Sequence, residues 1–267
     1  MKQYKKIKGI WDSPFIFIIC LLLLIFIYFP ILIIIIFSFN DSIAGVFPLR
    51  GFTFRWYIEV IKDPRFINTL KNSVYVAIAT TFISGIIGIP AAYAIVRYKF
   101  MGKIGIQNML LIPIFAPAIL IGVSLATLFS FLDIKLSLLT VILGHVLTSI
   151  SYFYLILRAR LIGYDISIEE ASRDLGASSI QTFRRISFPI LWPSILGCAL
   201  LVFSNSIDNF TITFFTIGAD STMPLLIWSM LRKGVAPSIN AVSTILLFVI
   251  FILVAIANKF SGIKMEI

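Results

Sequence analysis

The chain has 267 residues, 60% of them hydrophobic and only 13% charged, and its mean hydropathy is +1.04. One globule of this size cannot hide so much apolar surface, which excludes a soluble domain and makes lipid the natural solvent. The formal charge of +10 comes from basic residues scattered between apolar runs, a pattern that fits membrane topology better than nucleic-acid binding.

The basic start "MKQYKKIKGIW" leads into an apolar run that continues to Phe37. That run is too long for the core of a signal peptide and has no small-residue cleavage site. The expectation is a cytoplasmic N-terminal segment over 1–13 and a retained first span over Pro14–Ser38. A bilayer core of about 30 Å takes about 20 apolar residues of helix. Five further apolar blocks meet that requirement, over 73–96, 106–132, 136–157, 190–215 and 239–258. The fold class is therefore an all-α, polytopic membrane protein with six transmembrane helices, forming one membrane domain over 14–267. With both termini inside, 14 of the 22 Lys and Arg residues fall on the cytoplasmic side and 8 outside, the bias that the positive-inside rule demands. Among them, Lys2, Lys5, Lys6 and Lys8 could also meet anionic lipid.

Between the first two spans, "FTFRWYIEVIKDPRFINTL" sets Phe54, Tyr57, Val60 and Ile61 at helical spacing, with aromatics suited to a membrane interface. Pro113 and Pro117 are expected to kink the third span, and packed membrane helices tolerate such kinks. His145, in "LGHVLTSISYF" of the fourth span, is either a hydrogen-bonded interior histidine or a group with a gating or proton role. Cys20 and Cys198 both sit in apolar runs and read as buried thiols, without metal-ligand spacing.

The loop after the fourth span, at about 165–189, holds "EEASRDLGASSIQTFRRISFPI". Ser167 followed by Glu170 predicts a helix start with a capping box. Arg173 stands four residues from Glu169 and three from Glu170, and Ala171 with Leu175 forms a small apolar patch. Gly176 ends that helix or admits another backbone. Beyond it, Ile180, Phe183 and Ile186 share a helical face with Arg184 and Arg185 turned aside, and Pro189 opens the fifth span. On physical grounds the cassette is either an amphipathic connector on lipid headgroups or a helix that docks in a partner's groove.

The fifth span turns polar at "SNSIDN", about fifteen residues in, or ~22 Å along a helix. Polar groups at membrane depth are tolerated within protein or against a water-filled cavity, and an acid there is costly and usually functional. Asp208, with Ser204, Asn205, Ser206 and Asn209, is a candidate pathway lining that would attract a cation or an amine. Alternatively, Asp208 caps a helix or pairs with a neighbouring helix. No Gly-x4-Gly-Lys-Ser/Thr phosphate cradle, metal-ligand cluster or nucleophile–base set is present. Enzyme chemistry and a metal site are therefore not expected.

The cassette resembles the EAA loop of ABC importer permeases, which runs Glu-Ala-Ala, three residues, Gly, nine residues, Ile, one residue, Leu-Pro. Glu170, Ala171 and Ser172 stand for the triplet, Gly176 follows at the family's distance, and Ile186, Phe188 and Pro189 close the motif; Ser172 and Phe188 depart from it. The resemblance implies a type I (MetI-like) permease fold and an ATPase-coupling role for Glu169, Glu170, Ala171, Ser172, Gly176, Ile186 and Pro189. "NSVYVAIATTFISGIIGIPAAYAIVRYKFMGK" is similar to the start of the permease core. "SIDNFTITFFTIGADSTMPLLIWSMLRKGVAPSINAVSTILL" is similar to the C-terminal part of permeases of spermidine/putrescine importers. That pattern commonly carries two consecutive acids where this chain has Asp208 and then Asn209.

The implied partners are an ABC ATPase dimer carrying ATP and Mg, a homologous second permease, and an extracytoplasmic solute-binding protein. The implied place is the cell inner membrane, and polyamine is the favoured substrate. Iron, thiamine, phosphonate or another small solute is the alternative within the same class. An ion-coupled secondary transporter would need inverted repeats and several intramembrane charges, and the sequence shows no clear repeat and a single acid within the spans.

Overall fold

The computed structural model describes residues 14–42, 47–232 and 237–261. The expected segment over 1–13, together with Lys233 and Lys264, lies outside the described residues. Twelve α-helices account for most of the described chain, and the described residues contain no strand beyond an isolated bridge between Asn40 and Phe52. The chain divides into two units: Met1–Lys62 with Met230–Leu247, and Asp63–Ser229 with Phe248–Ile267.

In the first unit, helix α1 (Pro14–Ser38) is Ile, Leu and Phe on every face, and of its residues only Ser38 is buried. A helix apolar all round belongs in hydrocarbon or among other apolar helices. Cys20, expected to be buried, lies exposed on α1. The chain after α1 folds back on itself. Ser38 Oγ lies 2.6 Å from the Tyr57 hydroxyl, and Trp56 Nε1 donates to the Asn40 carbonyl at 2.9 Å. The rings of Phe39 and Phe52 stack at 4.9 Å, with Phe54 edge-on to both. Helix α2 (Arg55–Lys62) turns Trp56 and Val60 inward, while Phe54 and Ile61 are exposed. The helix expected from the spacing of Tyr57, Val60 and Ile61 is present, and Trp56 is turned inward by a hydrogen bond that spacing alone does not reveal.

The second unit is built on α3 (Pro64–Arg97), which starts nine residues before the predicted span. Asp63 caps it, accepting from the Arg65 amide at 2.9 Å, and Pro64 fills the first turn. At 34 residues α3 is about 51 Å long, well beyond a bilayer core. Its polar N-terminal turns therefore extend beyond the apolar stretch, and hydropathy misses them. Helix α4 (Lys103–Phe115) and α5 (Ala118–Phe131) replace the predicted third span, bent by 108° where a kink was expected. Ala116 is extended, as a residue before proline prefers, and Pro117 has no N–H to continue the ladder.

Helix α6 (Leu138–Ile162) lies along α3. A β-carbon on Gly88 would stand 2.5 Å from Phe153 Cβ, so the absent side chain is what lets the two helices approach. After α7 (Ser167–Asp174), α8 (Ser179–Thr182) and a π-helical turn over Phe183–Ser187, α9 (Phe188–Asp208) rejoins that pair. Ala92 and Ile95, Phe153 and Leu157, and Leu191, Cys198 and Val202 form their common core. Helix α10 (Phe210–Thr216) then packs on α5 and α6. Helices α11 (Met223–Arg232) and α12 (Pro237–Ser261) complete the chain.

By length and apolarity α1, α3, α6 and the continuous stretch Ser179–Asp208 can each cross a membrane, and α4 with α5 passes the same test when the bent pair is taken together as one broken span. Helix α12, apolar over Pro237–Leu253, occupies the place of the sixth.

Candidate functional site

The loop between α6 and α9 is ordered by local bonds. The predicted capping box at Ser167 does not form. Instead the Ser167 amide donates to Asp165 Oδ1 at 3.0 Å, which holds the Asp165 carboxyl below its usual range. A capping box occurs one helix later. Gln181 N donates to Ser178 Oγ, and Ser178 N donates to Gln181 Oε1. Helix α7 closes in a Schellman turn: Gly176 N donates to the Arg173 carbonyl at 2.8 Å and Ala177 N to that of Ser172 at 3.1 Å. Gly176 has φ +88° there, and a β-carbon would meet nothing within 4 Å. The glycine is required by the turn, and its surroundings are open.

Around that turn two apolar side chains stand out among exposed polar ones, Leu175 at 90% and Ile180 at 79% exposure. Ile180 is exposed while Phe183 and Ile186, expected on the same helical face, are half-buried, because α8 ends after one turn and the π-helical turn changes the register. Glu170, Ala171, Arg184, Arg185 and Pro189 are exposed; Ser172 and Ile186 are half-buried, and Ser172 Oγ lies 3.2 Å from Thr182 Oγ1.

Glu169 departs from this group because it is completely buried. Tyr93 Oη donates to Oε2 at 3.1 Å, Arg97 Nε reaches both oxygens at 3.1 Å, and Ser187 Oγ donates to Oε1 at 3.0 Å. Arg173 Nη2 stands 3.9 Å away. The Arg97 guanidinium lies 5.2 Å from the Tyr164 ring centroid. Burial pushes the Tyr164 hydroxyl's pKa upward, and the Glu169 carboxylate adds to the shift. Arg97 Nη2 and the Tyr164 hydroxyl are buried without hydrogen-bond partners among the described residues, so Arg97 is held to Glu169 by charge and by Nε. Sequence reasoning placed Glu169 with Glu170 and counted Arg97 only as a topological charge. The available signal was Tyr93 and Arg97, one turn apart at the end of an apolar span.

The second candidate site is a cavity of about 620 Å³ at the helix breaks of the second unit. Pro113 and Ala116 at the bend of α4, Thr148 and Tyr152 on α6, and Ser204, Asn205 and Asp208 on α9 line it, with Asn209 and Phe210 at the start of α10. Of the five predicted pathway residues, Ser204, Asn205, Asp208 and Asn209 are on its wall, while Ser206 is buried away from it. Asp208 is the only charged one among the lining residues, it is exposed there, and no hydrogen bond or ion pair among the described residues engages it. The helix cap is Asn209 instead, whose Oδ1 accepts from Ile212 N at 3.1 Å. A second acid is thus replaced by a residue that starts α10.

His145 fastens this break from behind. Its Nδ1 is 2.8 Å from Ser206 Oγ on α9, and Nε2 is 2.9 Å from Thr213 Oγ1 on α10. Thr213 gives its single proton to the Asn209 carbonyl, so it accepts from Nε2–H, and Nδ1 accepts from Ser206.

Broken helices around a polar cavity, with an exposed turn on the loop that leads into them, define a helical membrane transport subunit. The description "Binding-protein-dependent transport system inner membrane component" matches residues 84–262. The spermidine/putrescine transport system permease protein PotC of Escherichia coli (strain K12) is 32% identical over 218 residues, covering 81% of this chain and 82% of that one. The putrescine transport system permease protein PotI of the same strain is 35% identical over 262 residues, covering 92% and 93%. A bacterial alginate ABC transporter superposes with a TM-score of 0.78 at 14% identity, covering 98% of this chain and 99% of that one. The chain belongs to the binding-protein-dependent transport system inner membrane component family, and it is the membrane-spanning permease subunit of an ABC importer.

Proposed function

We propose that this permease carries polyamines across the cell inner membrane by alternating access. The carrying observation is Asp208, a carboxylate unpaired among the described residues, on the wall of a cavity whose other lining residues carry no charge. An ammonium group entering that cavity meets Asp208, the amide of Asn205 and the hydroxyl of Ser204. Tyr152 and Phe210 offer ring faces that attract cations. The names of PotC and PotI, as spermidine/putrescine and putrescine permeases, support the same substrate class.

The Glu170–Gly176 face of α7 docks on an ATPase dimer, which carries the ATP and Mg. Leu175 is the apolar knob and Glu170 the charged contact, with Ala171 beside them. A second, homologous permease completes the pore, and an extracytoplasmic solute-binding protein delivers the load. One of the alginate transporter structures is a complex with a periplasmic protein bound to an alginate pentasaccharide, which supports that arrangement for the fold. Both termini and α7 lie on the cytoplasmic side, as the distribution of Lys and Arg requires.

The test is ATP-driven uptake in proteoliposomes holding all the subunits, with labelled putrescine and spermidine as substrates. Saturable uptake that needs the binding protein supports the proposal. Uptake of neither amine, with transport of an unrelated solute, would overturn the substrate and leave the permease intact.

A further inference from the structure

Helix α7 is eight residues long, strongly amphipathic and exposed over most of its surface. Its backbone lies against α8 and the π-helical turn. Its link to α3 runs through side chains that converge on one carboxylate. Glu169 takes bonds from Tyr93 and Arg97 near the end of α3 and from Ser187 at the start of α9. Three chain segments thus meet at a residue with no exposure. Apolar packing would hold α7 in place without the cost of desolvating two charges. A buried ion pair adds a directional link with one geometry.

The path continues beyond the carboxylate. Ser187 is the residue before α9, and α9 runs unbroken from Phe188 to Asp208, about 30 Å. Its far end carries Asp208 and stops at the Asn209 break on the cavity wall. A displacement of α7 therefore has a short, stiff route to the substrate cavity.

We infer that the Glu169–Arg97 pair is the transmission joint of this subunit, making α7, the end of α3 and the start of α9 move as one body. Glu169 and Arg97 are positioning residues that touch neither ATPase nor solute. The inference rests on the reading of α7 as the ATPase-docking helix.

The test uses the complete transporter in nanodiscs, with Cys20 and Cys198 replaced by serine and spin labels at Lys99 and Ser167, both exposed. The distance between the labels is expected to be single, narrow and identical in the nucleotide-free and ATP-trapped states. In Glu169→Gln it is expected to broaden, and solute imported per ATP hydrolysed to fall several-fold while the ATPase subunits still co-purify. Ser187→Ala keeps the ion pair and removes one bond to Oε1, so it is expected to lose part of that coupling. It serves as the second arm if Glu169→Gln does not assemble. A label distance that shifts with nucleotide in the parent protein, or parental coupling in either variant, overturns the joint. A parent chain that binds no ATPase at all overturns the docking reading instead, and that result is visible before any variant is made.

Discussion

Glu169 and Glu170 are adjacent on α7, yet the first is completely buried and the second exposed. Successive residues on a helix do not share a face. Here the difference separates two jobs. Glu169 faces Arg97, Tyr93 and Ser187 and fixes the helix to its own chain, while Glu170 faces outward beside Ala171 with no partner among the described residues.

That separation predicts opposite results from two neighbouring substitutions. Arg97→Ala takes from the buried Glu169 carboxylate its buried cation, leaving Arg173 at 3.9 Å, and removing one partner of a buried pair costs about 3–5 kcal/mol. Glu170→Gln alters an exposed group and is expected to stay within about 0.5 kcal/mol. Thermal unfolding of the two variants in the same detergent measures the difference. Equal melting temperatures would show that Glu169 does not depend on Arg97.

The Schellman turn makes Gly176 a second point of leverage. Its φ of +88° costs a side-chain-bearing residue about 1–2 kcal/mol, and a β-branched side chain suits it worst. Gly176→Val is therefore expected to fray the end of α7 and displace Leu175, whereas Leu175→Glu leaves the turn intact and puts a charge on the apolar knob. Both variants should insert normally and lose co-purification of the ATPase subunits. Retention of the ATPase by both would place the docking contact elsewhere on the loop.

The spans and the loop were legible because their signals are local. An apolar run such as 14–37 identifies itself, and the distance from Glu170 to Gly176 survives without any knowledge of the fold. What was hidden depends on contacts between distant segments. Nothing near Glu169 in sequence announces Arg97, 72 residues away. The bend between α4 and α5 was visible as Pro113 and Pro117, but its 108° depends on what α5 packs against, chiefly α10. Asp208 and Asn209 read as one polar group. Only the break in the helix distinguishes the free carboxylate from the residue that caps the next helix.

His145 gives a prediction about the geometry of that break. It holds Ser206 before the break and Thr213 after it. His145→Leu removes both bonds. Thr213 keeps its bond to the Asn209 carbonyl, but Ser206 is left buried without its partner, at about 1–3 kcal/mol. The variant should melt earlier, and uptake should fall more than ATPase assembly does, because α10 loses its fastening beside the cavity while α7 is untouched. Parental melting and uptake would show that packing on α5 and α6 holds α10 without the histidine.

Asp208 tests the substrate directly, because its removal should not harm the fold. No hydrogen bond or ion pair among the described residues engages it, so Asp208→Asn is expected to change stability by less than about 0.5 kcal/mol. Its effect on transport should be larger. A carboxylate about 4 Å from an ammonium contributes about 1 kcal/mol in bulk water and about 4 kcal/mol near a protein surface. Losing even the smaller value lowers uptake of a cationic solute about fivefold. Screening adds a second signature. The advantage of the parent over Asp208→Asn should shrink as salt rises from about 0.01 M to about 0.15 M, where the Debye length falls from about 30 Å to about 8 Å. Initial uptake rates of putrescine at the two ionic strengths, in the parent and in Asp208→Asn and Asp208→Glu, measure both effects. Asp208→Glu keeps the charge and should recover most of the rate. Equal rates in all three proteins at low salt would mean that the carboxylate does not meet the travelling amine.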